Sequence, residues 1–337
     1  LNTIEKQALH TFPATYSRLS SAALVAEVLP DFDIGAVATC QFYTGGFNDT
    51  YRVRTAQGST YYLRVYRAAW RSLPDILYEL DLLQHLAYKG FPAARPQPRH
   101  DGSLHYPIQA PEGRRYAALF SEAPGRLISY DREPEKVAFQ YGQAVARLHN
   151  AVDDFASLHQ RFHIDLELLI DAPLRHIAPF LAHRPDDWAY LQRFANHLRQ
   201  HITALPENDL QQGYCHGDLQ GYHAHVDPHG TLTFFDFDCG GYGYRAYDFA
   251  VFRWCARLEN QESIRWEPYL RGYREIRPLD DLDAQAVPLF VGARYLWHMG
   301  VHTQNAPDWG CDWLNDAYFD EKIGFLRQVE TDYAYSG

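Results

Sequence analysis

The chain has 337 residues, 46% hydrophobic and 15% aromatic, with a formal charge of −11. That length exceeds one small core and fits two lobes. The acidic balance argues against nucleic acid or an anionic membrane surface as a partner, and no apolar run approaches the length of a transmembrane helix.

Residues 1 to 29 read as helical, with Leu19, Ala22, Ala23, Val25 and Ala26 on an apolar face. From Cys40 the pattern changes to strand, glycine turn at Gly45-Gly46, and strand at Tyr51-Arg52-Val53-Arg54. A turn at Gln57-Gly58 leads to a third strand, Thr60 to Tyr66. Ser72-Leu73-Pro74-Asp75 is a capping box with Pro in the first turn; Ile76, Leu80, Leu83 and Ala87 recur at helical spacing until Gly90. Residues 91 to 98 are Pro-rich and extended. Two further strands are expected near Tyr106–Gln109 and Arg115–Phe120. From Glu133 the chain turns helical, with Tyr141, Ala144, Val145 and Leu148 as a stripe and His149 near the end. Residues 166 to 204 are helical again.

The stretch from Tyr214 to Ala250 carries the chemistry. Asp227-Pro228-His229-Gly230 is a strong turn signal between Ala224-His225-Val226 and the strand-forming run Thr231–Phe235. Asp218 precedes this hairpin; Asp236 and Asp238 follow it. A two-stranded ribbon brings its ends together, so these carboxylates share one small volume. Convergent carboxylates repel unless a cation lies between them, and Mg²⁺ with phosphates is the common answer. Helices follow around Phe249–Trp254, from 286 to 301 and from 316 to 329.

His216-Gly217-Asp218, then Phe235-Asp236-Phe237-Asp238, then Tyr247-Asp248 resemble the aminoglycoside phosphotransferase / choline kinase family, whose fold is similar to that of protein kinases. The resemblance extends from about Cys40 to Asp332. It implies an α+β, two-lobed protein-kinase-like fold. Residues 1–120 would form a small, mostly antiparallel β lobe with one key helix, and residues 121–337 a larger helical lobe. It implies transfer of the ATP γ-phosphoryl group to a hydroxyl of a small molecule: an amino alcohol, a hydroxy amino acid or an aminoglycoside-like antibiotic. Asp218 is then the catalytic base. Gly45 and Gly46, with Asn48, cover the nucleotide phosphates. Arg64, paired with Glu79, holds the α/β-phosphates, and Phe120 and Glu122 belong to the hinge that meets the adenine. Asp236 holds Mg²⁺, Asp238 assists with a second ion, and Asp248 steadies the catalytic loop by hydrogen bonds.

Two positions depart from the family pattern. His223 stands where the metal-binding Asn is usual, and Gln220 where a second His is common. Mg²⁺ prefers oxygen, so His223 either ligates a borderline ion such as Mn²⁺, leaves Mg²⁺ to Asp236 and water, or impairs transfer. Two alternatives follow: a nucleotide-binding pseudokinase, or a protein Ser/Thr kinase, acting on a protein partner. A weaker third is a metal hydrolase built on His216, His223, His225 and Asp236. The 17 histidines include several HxxxH pairs, but none forms HExxH and no zinc centre is expected. The five cysteines lack CxxC spacing and suit a reducing compartment. No signal-peptide pattern opens the chain and Leu1 is not an initiator Met, so a trimmed cytoplasmic protein is expected. Oligomeric state has no signature here.

Overall fold

The computed structural model describes residues 12–68, 70–205 and 210–333. Its architecture is mixed α+β and divides into two compact units. The first comprises Leu1–Leu73 and Pro96–Glu122; the second comprises Pro74–Arg95 and Ala123–Gly337.

The first unit is built on a five-stranded antiparallel sheet. Its strands are β1 (Val37–Thr44), β2 (Asn48–Thr55), β3 (Thr60–Tyr66), β4 (Tyr106–Ala110) and β5 (Gly113–Ser121), in the order β1-β2-β3-β5-β4. Alternation puts Tyr51, Val53, Leu63 and Val65 on one face, each fully buried, against Leu24, Val28, Leu29 and Phe32. Each such side chain contributes roughly 1.5–3 kcal/mol on burial. The helix expected over residues 1 to 29 is corrected. Residues 1–11 lie outside the described residues, and residues 12–20 are not helical. Helical backbone begins at α1 (Ser21–Ala23) and continues through the π-turn Leu24–Val28 and the 3-10 turn Leu29–Asp31. The preceding carbonyls are taken by the sheet instead: Arg115 Nη1 donates to Ser17 O at 2.7 Å, and the Tyr51 hydroxyl to Leu19 O at 2.7 Å.

The second unit takes in α2 (Leu73–Tyr88) from Pro74 onward, and the helix buries Ile76, Leu80 and Leu83 as its spacing requires. After the two-residue strand β6 (Arg126–Leu127) come α3 (Pro134–Ala151), β7 (His163–Ile164), α4 (Ala172–Ile177) and α5 (Pro185–Thr203). Pro173, Pro179 and Pro185 lack the N–H that a continuous ladder needs. The helical run over 166 to 204 is therefore broken into π, α and 3-10 pieces before α5. Next are β8 (Gln212–Cys215), β9 (Ala224–Val226), β10 (Leu232–Phe234) and β11 (Gly241–Tyr244). The chain then forms α6 (Ala246–Leu258), α7 (Glu262–Ile276), α8 (Asp281–Trp309) and α9 (Asp316–Asp332). Helix α7 has no counterpart in the sequence expectations; Pro268 inside it hides the pattern. It packs backbone to backbone on α3. A Cβ on Gly142 would lie 2.0 Å from Tyr269 O, and one on Gly272 would lie 2.0 Å from Phe139 O.

Two small sheets set up the stretch from Tyr214 to Ala250. In one, β10 pairs with β9 and β9 with β6; in the other, β8 and β7 flank β11. The loop after β8 leads into β9, and the loop after β10 leads into β11. Because β9 pairs with β10, and β8 with β11, the two loops must run side by side. Among the described residues no helix is long and apolar enough to cross a membrane.

Candidate active site

The first loop, residues 216–223, is held by a buried carboxylate. Asp248 on α6 accepts the His216 N–H on Oδ2 and the Gly217 N–H on Oδ1, both at 2.8 Å. The expected structural role of Asp248 is therefore seen as geometry. His149, on α3, places Nε2 3.1 Å from Asp248 Oδ2 and Nδ1 2.8 Å from the Tyr273 hydroxyl. Gly217 has φ +76, and a Cβ there would lie 2.2 Å from Cys239 O, so the turn admits only glycine.

The turn delivers Asp218 into a nest of donors. Its Oδ1 accepts from Gln220 Nε2 at 2.6 Å and from Arg294 Nη2 of α8. Its Oδ2 lies 3.3 Å from His223 Nδ1. Burial pushes this carboxyl up, but the Arg294 guanidinium, His223 and Gln220 outweigh burial and bring it down to about 2. Asp218 is thus ionised at neutral pH. Gln220, a departure from the family pattern, is thus a hydrogen-bond donor to Asp218.

His223 stands between the two loops. Its Nδ1 is 2.9 Å from the main-chain oxygen of Asp218. A carbonyl only accepts, so Nδ1 carries the proton. That leaves Nε2 facing Asp236 Oδ2 at 3.8 Å, a spacing with room for a metal ion between them. A metal-ligating histidine donates its other N–H in just this way. Asp236 has φ 65 and ψ 60, a left-handed conformation uncommon for a non-glycine residue, and its side chain is 43% exposed. An exposed carboxylate with an imidazole nitrogen beside it suits a divalent ion that keeps part of its water shell. The donor set therefore fits a metal, with His223 favouring a borderline ion.

Asp238 is buried beside Asp236 in the 3-10 turn Phe237–Cys239. Its main-chain oxygen accepts from Arg161, which also bonds Gly240 O and Asp75 O, each at 2.7 Å. Arg161 thereby ties the second loop to the start of α2. Among the described residues no group of three or more His, Cys, Asp or Glu side chains is placed to hold one ion. His216 Nε2 is turned to Phe235 O, and His225 Nδ1 to Ala123 O, away from a shared point with His223.

The remaining expected residues fall as follows. Gly45 and Gly46 lie between β1 and β2, and a Cβ on Gly46 would meet nothing within 4 Å. Asn48 Oδ1 accepts the Arg67 N–H at 3.2 Å. Arg64 sits mid-strand opposite Thr50 and Ala118, its guanidinium 5.2 Å from the buried Phe120 ring. The Glu122 carboxylate accepts from the Tyr62 hydroxyl at 3.4 Å. These belong to the first unit. Glu79 is buried on α2 in the second. Sequence reasoning did not find Arg294 or Arg161. Both act through contacts distant along the chain, and isolated arginines on helices or in loops carry no motif.

The model of the phosphotransferase enzyme family matches residues 39–279. An uncharacterized protein of Deinococcus radiodurans is 39% identical over 95% of this chain and 93% of its own length. A homoserine kinase of Paraburkholderia phymatum is 27% identical over 85% of this chain and 91% of its own. Among solved structures, an amicoumacin kinase in complex with AMP-PNP and Ca²⁺ shares the fold. It has a TM-score of 0.76 and 20% identity, and the match covers 93% of this chain and 94% of that one.

Proposed function

We propose, from the premise that the chain belongs to the phosphotransferase enzyme family, that it transfers the γ-phosphoryl group of ATP to a hydroxyl of a small molecule. The observation that carries this reading is Asp218: an ionised, hydrogen-bonded carboxylate on a rigid glycine turn, beside the facing pair His223 and Asp236. Phosphoryl transfer asks the protein mainly to position groups and to neutralise charge. In this reading Asp218 receives the acceptor's hydroxyl proton. Asp236 and His223 hold the divalent ion, Mg²⁺ or Mn²⁺, with water and phosphate oxygens completing its shell, and Asp238 serves a second ion. When bound, the ion supplies charge neutralisation at the phosphates. Gly45, Gly46, Asn48, Arg64, Glu79, Phe120 and Glu122 make up the nucleotide-binding set.

For the acceptor we favour a hydroxy amino acid, the class named by the homoserine kinase relative, with amino alcohols and aminoglycoside-like antibiotics next. The deciding experiment is ADP formation from ATP with Mg²⁺ and then Mn²⁺, with L-homoserine as first acceptor. Asp218→Ala should lower turnover by about 10²–10⁴-fold, the usual contribution of a positioned base. Metal-dependent nucleotide binding without turnover in either ion would favour the pseudokinase reading, which His223 motivates.

A further inference from the structure

We propose that Arg294 is the positioning residue for the catalytic carboxylate. It commits Asp218 Oδ1 to the protein and leaves Oδ2 as the oxygen presented to the acceptor hydroxyl. The inference rests on the phosphotransfer reading above.

The geometry is that of a fork. Arg294 Nη2 donates to Asp218 Oδ1, while Nη1 donates to the Gly217 carbonyl at 3.1 Å and to the Tyr247 hydroxyl at 3.3 Å. One planar guanidinium therefore grips the side chain of the base and the main chain that carries it. The guanidinium itself is fixed. It lies 4.4 Å from the Trp297 ring centroid and 4.8 Å from that of Trp254, and the residue is 1% exposed. Gln220 adds a second donor to the same Oδ1 at 2.6 Å. Oδ2 has a different neighbour: His223 Nδ1 lies 3.3 Å from it, but that nitrogen's proton is directed to the Asp218 carbonyl at 2.9 Å. The two carboxylate oxygens are thus made unequal: Gln220 and Arg294 both donate to Oδ1, and Oδ2 is the oxygen left for the acceptor proton in this proposal.

A purely structural ion pair would explain the contact but not its form. Buried ion pairs are weak sources of stability, because desolvation offsets the attraction. Three donors spread over Asp218, Gly217 and Tyr247 instead fix an orientation, and lysine, a point charge, cannot reproduce that fork. Displacing a reacting group by about 1 Å can cost about 10²-fold in rate.

The test compares Arg294→Lys and Arg294→Gln with wild type and Asp218→Asn. ADP formation is measured from ATP and Mg²⁺, with L-homoserine and then with water as acceptor. Turnover is counted per nucleotide-binding site, so unfolded protein drops out. The expected result is a fall in kcat of about 10²-fold in both variants, with KM for ATP within about twofold of wild type. A folded Arg294→Lys with kcat within about twofold of wild type would overturn the inference alone, even if Arg294→Gln fails to fold. Equal turnover by wild type and Asp218→Asn would overturn the phosphotransfer reading and this inference with it.

Discussion

His149 Nε2 lies 3.1 Å from Asp248 Oδ2, the oxygen that also accepts the His216 N–H at 2.8 Å. Three elements meet in this contact: α3, the loop of residues 216–223 and α6. Burial, reinforced by the Arg245 guanidinium, outweighs the pull of Asp248 and lowers His149 to about 4. The ring is therefore neutral at pH 7, donating from Nε2 to the carboxylate and accepting from the Tyr273 hydroxyl on Nδ1.

A pH dependence of stability follows. An unfolded histidine takes up its proton near pH 6.5, whereas the folded His149 does so at about 4. Between these values the unfolded chain binds more protons, so stability is full above pH 6.5 and falls as the pH drops. The contribution of this one group between pH 7 and pH 5 is about 2 kcal/mol. Urea midpoints at both pH values check it. His149→Gln should lose less than wild type over that interval by about this amount, and an equal loss would assign the effect to other histidines.

Gly217→Ala should destabilise the protein by at least about 2 kcal/mol. The added Cβ would collide with the Cys239 carbonyl at 2.2 Å, on backbone at φ +76 that alanine avoids. Turnover should fall as well, because Asp218 is the next residue. Denaturant unfolding and ADP formation on the same preparation read both effects.

His223 sets the metal preference in our reading. His223→Asn replaces an imidazole nitrogen with an amide oxygen facing Asp236, so the ratio of Mg²⁺ to Mn²⁺ affinity should rise by about tenfold or more. Mn²⁺ binding followed by electron paramagnetic resonance, with Mg²⁺ as competitor, measures this without any turnover. An unchanged ratio would count against ligation by His223.

In the first unit, Arg115 Nη2 pairs with Asp49 Oδ2 at 2.9 Å, and both side chains are fully buried. The same guanidinium bonds the carbonyls of Tyr66 at 2.9 Å, Val65 at 3.2 Å and Ser17 at 2.7 Å. Asp49→Ala would strip that cation of one of two carboxylates, the other being Glu112 with Oε1 3.3 Å from Nη1, at a cost of about 1–3 kcal/mol. Replacing Asp49 and Arg115 together by apolar residues should cost less than the sum of the single changes, a coupling that a double-mutant cycle of unfolding energies would measure.

The hairpin and its flanking loops were legible because their constraints are short-range. Alternation and turn chemistry announce the hairpin, and the ribbon itself carries Asp218 and Asp236 to neighbouring loops. The role of Asp248 followed from the family resemblance; its hydrogen bond to Gly217, 31 residues back, has no local signal. The first strands and α2 followed from spacing, whereas the opening helix did not. Its apolar spacing misled: Ala22, Ala23 and Ala26 are exposed while Leu24 and Val28 are buried, and carbonyls in residues 12–20 are claimed by Arg115 and Tyr51, which no local pattern reveals.

Sequence alone determined which residues make up the proposed site: a carboxylate on a glycine turn, two more beyond a hairpin, and an imidazole at the position where an amide is usual. Only the tertiary structure decided how they are tuned. Arg294 reaches Asp218 from 76 residues away because α8 packs on α6, where the guanidinium lies against the Trp254 and Trp297 rings. His223 becomes a bridge because its Nδ1 proton is spent on a main-chain oxygen. Side-chain identity and spacing are written along the chain, but the direction of a hydrogen bond between distant elements exists only once those elements have packed.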